Sequence, residues 1–294
     1  MRRGAAGSAP EGTDPMSPTI ISIQSQVVVG HVGNSAAAFP MRALGVDVAE
    51  VPTTLLSNHP HYPTTRGRVL EASLVADLLR GVEERGLSER ASIVVSGYLG
   101  SAEIAEEVAA FVVRARRANP RLLYLCDPVM GDSDIGFFVP AELQAAFTER
   151  LVPLADLVTP NAFELAALAG GPVSTPGEAA AAAARIAPPG VIVTGLAAGE
   201  RSVYTLLAEG GDLWTVTTPR IEARPAGTGD LFTGLLAARR AKGVAAVPAM
   251  EAAVAGTFGA LKLTAATTWE EMPIVPNIAA ILDPGEMFPA VKLV

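Results

Sequence analysis

The sequence has little cysteine, few basic residues and no long apolar run, and each scarcity excludes a class of protein. Cys126 is the single cysteine among 294 residues. The chain therefore has no intramolecular disulfide and no cysteine set for zinc, and we expect a reducing, cytoplasmic compartment. No apolar stretch approaches the ~20 residues that span a bilayer, so we expect no membrane partner. Residues 1–17 lack the apolar core of a signal peptide. We expect them to be a disordered extension, with Met16 as an alternative start.

Basic residues are outnumbered by acidic ones, 22 to 30, which gives a net charge of −8. A nucleic-acid surface concentrates basic side chains on one face. Here the only tight basic cluster is Arg114, Arg116 and Arg117 on a predicted helix, and we interpret it as a solvated helix face. We therefore expect no nucleic-acid partner. Half of the chain is hydrophobic and no long linker or repeat divides it, so residues 18–294 are expected to form a single domain.

Short apolar runs alternate with helical patterns along most of the chain. The apolar runs, typical of strands buried in a parallel sheet, lie at residues 20–23, 46–51, 93–95, 122–125, 157–158 and 191–193. The clearest helical patterns lie at residues 70–85, 102–118 and 179–186. Two further runs, 202–207 and 213–216, flank a Gly-Gly turn and predict an antiparallel hairpin. The sequence thus predicts an α/β fold: a mostly parallel central sheet with helices on both faces and an antiparallel edge hairpin.

The most informative segment is 225–232, where Gly227, Thr228 and Gly229 precede Asp230 at the start of a predicted helix. Glycine lets the backbone approach an anion, and the N–H groups at a helix N-terminus attract phosphate. Asp230 in the first turn would then act as a general base toward a substrate hydroxyl. An ordinary helix start, capped by the side chain of Thr228 or Asp230, explains this segment equally well.

Acidic side chains also follow other predicted strands. Asp127 and Asp132 come after the run 122–125, and Glu164 follows the run 157–158. Ligands of such sheets bind beyond the carboxyl ends of the strands. Carboxylate oxygens there suit Mg²⁺, which binds through one or two carboxylates and substrate phosphates. Helix capping is an equal alternative for the segment around Glu164, with Thr159 or Asn161 as the cap and Glu164 as a first-turn acid.

Six motifs carry a resemblance to a known family: 22–37 with 39–41 after it, 57–59, 96–101, 127–132, 159–161 with Glu164, and 227–230. In their order and approximate spacing they resemble those of the pyridoxal kinases, a family of the ribokinase-like superfamily. The resemblance covers roughly residues 19–264, nearly the whole chain. The motifs 159–164 and 227–230 are shared by the whole superfamily, whereas the segments around Ser25, His59 and Tyr98 are narrower and indicate pyridoxal.

The resemblance implies a three-layer ribokinase-like fold and a role in vitamin B6 salvage. The implied reaction is ATP-dependent phosphorylation of the 5′-hydroxyl of pyridoxal, with pyridoxine and pyridoxamine as further substrates. Asp230 matches the catalytic base and Gly227, Thr228 and Gly229 the anion hole. The residues that match vitamer contacts are Ser25, Thr53, His59 and Tyr98. The residues that match nucleotide contacts are Asp132, Thr159, Asn161, Glu164, Thr194 and Thr228.

The resemblance also implies Mg²⁺ near Asp127, Asp132 and Glu164, a monovalent cation such as K⁺, and a homodimer. Some positions depart from the family pattern. Gln26 replaces a common histidine, Phe138 replaces a tyrosine, and the segments 54–56 and 60–66 diverge. Two alternatives stay open: a kinase of hydroxymethylpyrimidine or of a sugar on the same scaffold, and a vitamin B6-binding module with low turnover.

Overall fold

The computed structural model describes residues 17–186, 188–267 and 271–293. Residues 1–16 of the expected extension lie outside these ranges. In the described residues no helix is long and apolar enough to cross a membrane.

Twelve strands occur in the described part of the chain, and ten of them form one sheet. In chain order they are β1 (Thr19–Val27), β2 (Asp47–Leu56), β3 (Gly67–Val69), β4 (Ala91–Ser96), β5 (Leu123–Cys126), β6 (Gly131–Asp132), β7 (Gly136–Phe137), β8 (Leu157–Val158), β9 (Gly190–Ala198), β10 (Ser202–Glu209), β11 (Asp212–Pro219) and β12 (Val291–Leu293).

Ten α-helices surround the sheet within the same ranges. They are α1 (Asn34–Ala43), α2 (Ala72–Glu84), α3 (Leu87–Arg90), α4 (Ala102–Ala118), α5 (Ala141–Ala146), α6 (Ala162–Ala169), α7 (Pro176–Ile186), α8 (Thr228–Ala241), α9 (Ala246–Ala265) and α10 (Ile278–Leu282). A π-helical turn, Phe147–Leu151, and a 3-10 turn, Val152–Leu154, follow α5.

The strand order of the large sheet is β12-β11-β10-β9-β8-β5-β4-β1-β2-β3. The six strands from β9 through β8, β5, β4 and β1 to β2 are all parallel. Antiparallel strands extend both ends: β10, β11 and β12 beside β9, and β3 beside β2. The small β6–β7 hairpin stands apart from this sheet. Because the central strands are parallel, their carboxyl ends open onto one edge, where the chemistry of such folds is found.

The sheet separates two apolar layers, as the alternation along β1 illustrates. Ile20 packs into the cluster that contains α1, α8 and α9. Ile21 and Ile23 point to the other face, into the cluster with α2, α4 and α5. A third cluster lies where α6 and α7 cover β9 and β10. This arrangement confirms the predicted α/β fold with helices on both faces of a mostly parallel sheet.

The predicted elements agree with the structure to within a few residues. The run 157–158 and the helix 102–118 have the predicted bounds, whereas the run 122–125 corresponds to β5 shifted by one residue. The hairpin is present, with a two-residue turn between β10 and β11. The predicted basic face of α4 is only partly solvated, because Arg116 binds the carboxylate of Asp156. The single-domain prediction for 18–294 stays a prediction.

Candidate active site

The turn between β1 and α1 lies at the carboxyl edge of the sheet and ends at Gly33. Gly33 has φ of 54°, and a Cβ there would lie 2.2 Å from the Ser25 carbonyl oxygen and 2.5 Å from its Oγ. Only glycine satisfies both the left-handed conformation and this close contact. The turn therefore packs directly against Ser25, which is 7% exposed.

The start of α8 lies against the same turn. Gly227, the N-cap residue, has φ of 83°, and a Cβ there would lie 1.9 Å from the His31 carbonyl oxygen. Among the described residues no side chain caps the helix: the Thr228 hydroxyl donates instead to the Pro225 carbonyl oxygen at 3.0 Å. The capping alternative for Thr228 and Asp230 is therefore wrong. Within the part of the chain that the structure describes, the first backbone N–H groups of α8 have no side-chain acceptor, which is what an anion site at a helix N-terminus requires.

The carboxylate of Asp230 lies close enough to the Gly33 N–H for that group to lower its pKa. Burial raises the pKa of Asp230, and the nearby Gly33 N–H opposes part of that shift. The structure thus brings Asp230 beside the turn that contacts Ser25, although 205 positions separate the two residues in the chain. A partly buried carboxylate with a raised pKa is the kind of group that serves as a general base.

Asp127, at the carboxyl end of β5, lies beneath α8. Its Oδ2 accepts from the Thr233 hydroxyl at 3.0 Å, and Thr233 Oγ1 lies 3.1 Å from Thr159 Oγ1. Burial raises the pKa of Asp127 well above its ordinary range, and the charges of Glu164 and Asp230 raise it further. Thr159 is therefore part of this buried network and does not cap α6, in contrast to one of the alternatives.

Asn161 and Glu164 form a capping box at the start of α6. Glu164 Oε1 accepts from the Met130 N–H at 2.9 Å, and Oε2 accepts from the Asn161 N–H at 2.9 Å. Glu164 is 4% exposed, and burial raises its pKa to about 7. The capping alternative is correct for Asn161. The same carboxylate also fixes the backbone after Asp127 through its bond to Met130.

The remaining predicted nucleotide residues lie around the same helix start. The Asn161 side chain donates to the Gly131 carbonyl oxygen at 2.8 Å, and Asn161 forms an isolated parallel bridge with Thr194. Asp132 is exposed in the β6–β7 hairpin and accepts from the Ser133 hydroxyl at 3.0 Å. The charge of Asp132 contributes to the raised pKa of Glu164.

The carboxylate of Asp127 interacts electrostatically with those of Glu164 and Asp230, yet no basic side chain forms an ion pair with any of the three in the described residues. In the same ranges, no group of three or more His, Cys, Asp or Glu side chains is arranged to hold a metal ion. The three acids predicted for Mg²⁺ therefore do not form an all-protein cage. The acids fit Mg²⁺ only if one or two of them bind it together with substrate phosphates.

The predicted vitamer residues form the other side of the site. Thr53, fully buried in β2, donates its hydroxyl to the Tyr98 carbonyl oxygen at 2.7 Å. Burial raises the pKa of the Tyr98 phenol. The Tyr98 ring centroid lies 6.4 Å from that of Phe138, which follows the β6–β7 hairpin. The chain that leaves this hairpin thus approaches the vitamer residue Tyr98 through the ring of Phe138.

The segment between β2 and β3, residues 57–66, is named the lid here. Asn58 organises it: its amide donates to the carbonyl oxygens of His59 at 3.1 Å and Thr64 at 2.9 Å. His59 is 6% exposed, and its Nε2 lies 3.0 Å from Glu271 Oε1. Neither Asn58 nor Glu271 was among the predicted site residues. Asn58 lies in a quoted motif, whereas no local pattern marks Glu271.

Known proteins match this chain over nearly its whole length. The phosphomethylpyrimidine kinase family model matches residues 54–274. Pyridoxal kinase PdxY of Rubrobacter xylanophilus is 40% identical over 279 residues, which cover 92% of this chain and 96% of that protein. The pyridoxine/pyridoxal/pyridoxamine kinase of Bordetella avium is 40% identical over 244 residues, which cover 81% and 82%.

A solved structure gives the same result at the level of the fold. Pyridoxal kinase from Leishmania donovani, in complex with ADP and pyridoxamine, has a TM-score of 0.88 at 28% identity. The match covers 95% of this chain and 100% of that one. Together with the uncapped start of α8 and the acids at the strand ends, these matches show that the chain belongs to the pyridoxal kinases of the ribokinase-like superfamily.

Proposed function

We propose that the protein transfers the γ-phosphoryl group of ATP to the 5′-hydroxyl of pyridoxal, and also accepts pyridoxine and pyridoxamine. The observation that carries this proposal is the contact between the Asp230 carboxylate and the Gly33 N–H. It joins the start of α8, where a phosphate would bind, to the turn against Ser25, where the pyridine ring would bind. A module that only bound the vitamer would not need a carboxylate at that junction.

In the proposed reaction, the hydroxyl oxygen of the vitamer attacks the γ-phosphorus while the bond from that phosphorus to the β-phosphate oxygen breaks. The hydroxyl proton passes to Asp230, and ADP leaves. Because burial raises the pKa of Asp230, its carboxylate is a stronger proton acceptor than an exposed one. The backbone N–H groups of residues 227–229 would neutralise the charge on the transferring phosphoryl group.

Mg²⁺ fits the acids of the nucleotide side as a cation held jointly with phosphates. Asp127 and Glu164 are buried and repel each other, and a bound cation would relieve that repulsion. Asp132 is exposed at the edge of the same region. We propose these three as the protein groups nearest the cation, which would supply charge neutralisation to the phosphates. K⁺ is proposed from the family resemblance alone.

A second candidate, phosphorylation of hydroxymethylpyrimidine, is favoured by the description of the matching family model. A single assay separates the candidates: ADP release by the purified protein with pyridoxal, pyridoxine, pyridoxamine and hydroxymethylpyrimidine, each with and without K⁺ and Mg²⁺. We expect the highest kcat/KM with a B6 vitamer. A preference for hydroxymethylpyrimidine would replace the first candidate by the second, and tight vitamer binding without ADP release would favour the binding module.

We also propose a homodimer. Three apolar side chains beside the end of β1 are exposed: Val28 by 86%, Val29 by 60% and Leu55 by 45%. They are neighbours, since the Val28 N–H donates to the Leu56 carbonyl oxygen at 3.0 Å. A second copy of the chain would remove this apolar surface from water. Light scattering of the purified protein tests the proposal, and a monomer at micromolar concentration would contradict it.

A further inference from the structure

Glu271 contacts two segments that are remote from it in sequence and that both border the vitamer side of the site. Its Oε2 accepts from the His31 N–H at 3.1 Å, in the turn after β1. Its Oε1 accepts from the Tyr62 hydroxyl at 3.1 Å and lies 3.0 Å from His59 Nε2, both in the lid. One carboxylate thus connects the lid to the turn that bears Gly33.

His59 makes a close polar contact with Glu271. Its Nδ1 accepts from the His61 N–H at 3.3 Å, which leaves the ring hydrogen of the neutral imidazole on Nε2, the nitrogen that lies 3.0 Å from Glu271 Oε1. Nε2 forms no aligned hydrogen bond within the described residues, so the hydrogen bonds of Glu271 are those from His31 and Tyr62. The imidazole is buried, and the Glu271 side chain is only 17% exposed. Hydrogen bonds to an ionised carboxylate in such a shielded place are stronger than those between neutral groups.

The turn is shaped to accept this carboxylate. A Cβ at Gly30 would lie 2.3 Å from Glu271 Oε1, so any other residue there would displace the carboxylate or the turn. Three residues of the turn and lid therefore meet Glu271 through a backbone N–H, a hydroxyl and an imidazole, while a glycine makes room for it.

We propose that Glu271 is a positioning residue that holds the lid closed over the vitamer. Its carboxylate binds Tyr62 and contacts His59 in the lid, and it binds His31 in the turn that bears Gly33. The inference rests on the proposed function and adds to it the group that controls the lid. Vitamer binding should depend on this carboxylate, whereas the nucleotide side, formed by other elements, should not.

The test is the pair of variants Glu271→Gln and Tyr62→Phe, alone and combined, in the full chain. For Glu271→Gln we expect the KM for pyridoxal to rise about tenfold, which equals about 1.4 kcal/mol, with the KM for ATP unchanged. Because both variants break the same contact, the double variant should fall short of the product of the single effects. Glu286→Gln is the matched control, since it removes the same charge from an exposed ion pair with Lys262.

Hydrogen exchange of the lid amides gives a readout independent of turnover. Exchange in residues 57–66 should be faster in Glu271→Gln than in the wild type, at an unchanged Tm, and Glu286→Gln should match the wild type. Unchanged lid exchange with an unchanged KM for pyridoxal would overturn the inference, as would equal rises of both KM values. If the wild-type chain phosphorylates no vitamer, the proposed function fails, and the exchange rates alone then decide whether Glu271 holds the lid.

Discussion

Glu164 makes the stability of the protein depend on pH in the direction opposite to that of a salt-bridged carboxylate. Burial raises its pKa in the folded state from the ordinary 4.5 to about 7. A group with a raised folded pKa stabilises the fold fully below its unfolded pKa, and this contribution is lost as the pH rises through the folded pKa. We therefore expect the free energy of unfolding to decrease from the acidic to the alkaline side of pH 7.

The size of the effect follows from the shift. At about 1.4 kcal/mol per pH unit, a rise from 4.5 to about 7 corresponds to about 3 kcal/mol over the whole titration. Between pH 5.5 and 8, where most of the folded-state titration takes place, about 2 kcal/mol of this should be measurable. Asp127 also has a raised pKa and contributes with the same sign. Burial lowers the pKa of His31, which contributes with the opposite sign.

The assay is urea unfolding of the wild type and Glu164→Gln at pH 5.5 and pH 8, without metal or nucleotide. His31 is present in both proteins, so its contribution cancels in the difference. The wild type should lose about 2 kcal/mol more than the variant on going to pH 8. The glutamine can replace only one of the two carboxylate oxygens, so the variant should be less stable at pH 5.5. Equal pH dependence in the two proteins would refute the assignment of the buried proton to Glu164.

Three further substitutions test the catalytic side. Asp230→Asn should lower kcat by about 10²–10⁴-fold and leave pyridoxal affinity within a few-fold by calorimetry; near-normal turnover would exclude Asp230 as the base. Gly227→Ala places a Cβ 1.9 Å from the His31 carbonyl oxygen and should reduce kcat at least about tenfold. Gly243→Ala is the control, because Gly243 also has a positive φ, 79°, but no atom lies within 4 Å of its Cβ position. That variant should lose about 1–2 kcal/mol through backbone strain and keep its kcat. Thr233→Val removes the hydroxyl that donates to Asp127 at 3.0 Å, so it should raise the pKa of that carboxyl further. The free energy of unfolding in urea at pH 8 should fall by about 1 kcal/mol. An unchanged free energy of unfolding at that pH would contradict this role of Thr233.

The central sheet was predictable because its strands are buried on both faces and read as uninterrupted apolar runs. Helix α4 was predictable to the residue, since its apolar side chains recur on one face and Ser101 accepts from the Ile104 N–H at its start. Helix α9 was not predicted, although it has 20 residues. Its buried residues surround the helix, because it packs against α8, α10 and the sheet, so no single apolar stripe marks it. The strand β12 has three exposed residues and no pattern at all.

The site was predictable where a motif is short and local. The residues from Gly227 to Asp230 do start a helix. Their interpretation as an anion hole rather than a cap depends on Gly33, which lies near Asp230 only in the folded chain. Glu271 was not predictable. It reaches the site after the chain has passed through every strand of the large sheet except β12, so its partners at His31 and Tyr62 precede it by 240 and 209 positions. A long-range contact of this kind leaves no trace in local periodicity.

Two glycines of the segment that starts helix α8, Gly227 and Gly234, are needed for close packing as well as for the proposed chemistry. Gly227 leaves room for the His31 carbonyl oxygen, and Gly234, one residue beyond Thr233, would meet the Ala37 Cβ at 2.9 Å if it had a side chain. Over about seven residues, helix α8 therefore packs backbone to backbone against α1 and against the turn between β1 and α1. Because the turn that borders the vitamer and the helix that would bind phosphate are fixed to each other this closely, the alignment of Asp230 does not depend on the lid. It follows that opening the lid should change vitamer affinity without moving the base, and that a substitution at Gly234 should impair catalysis from a position that touches neither substrate.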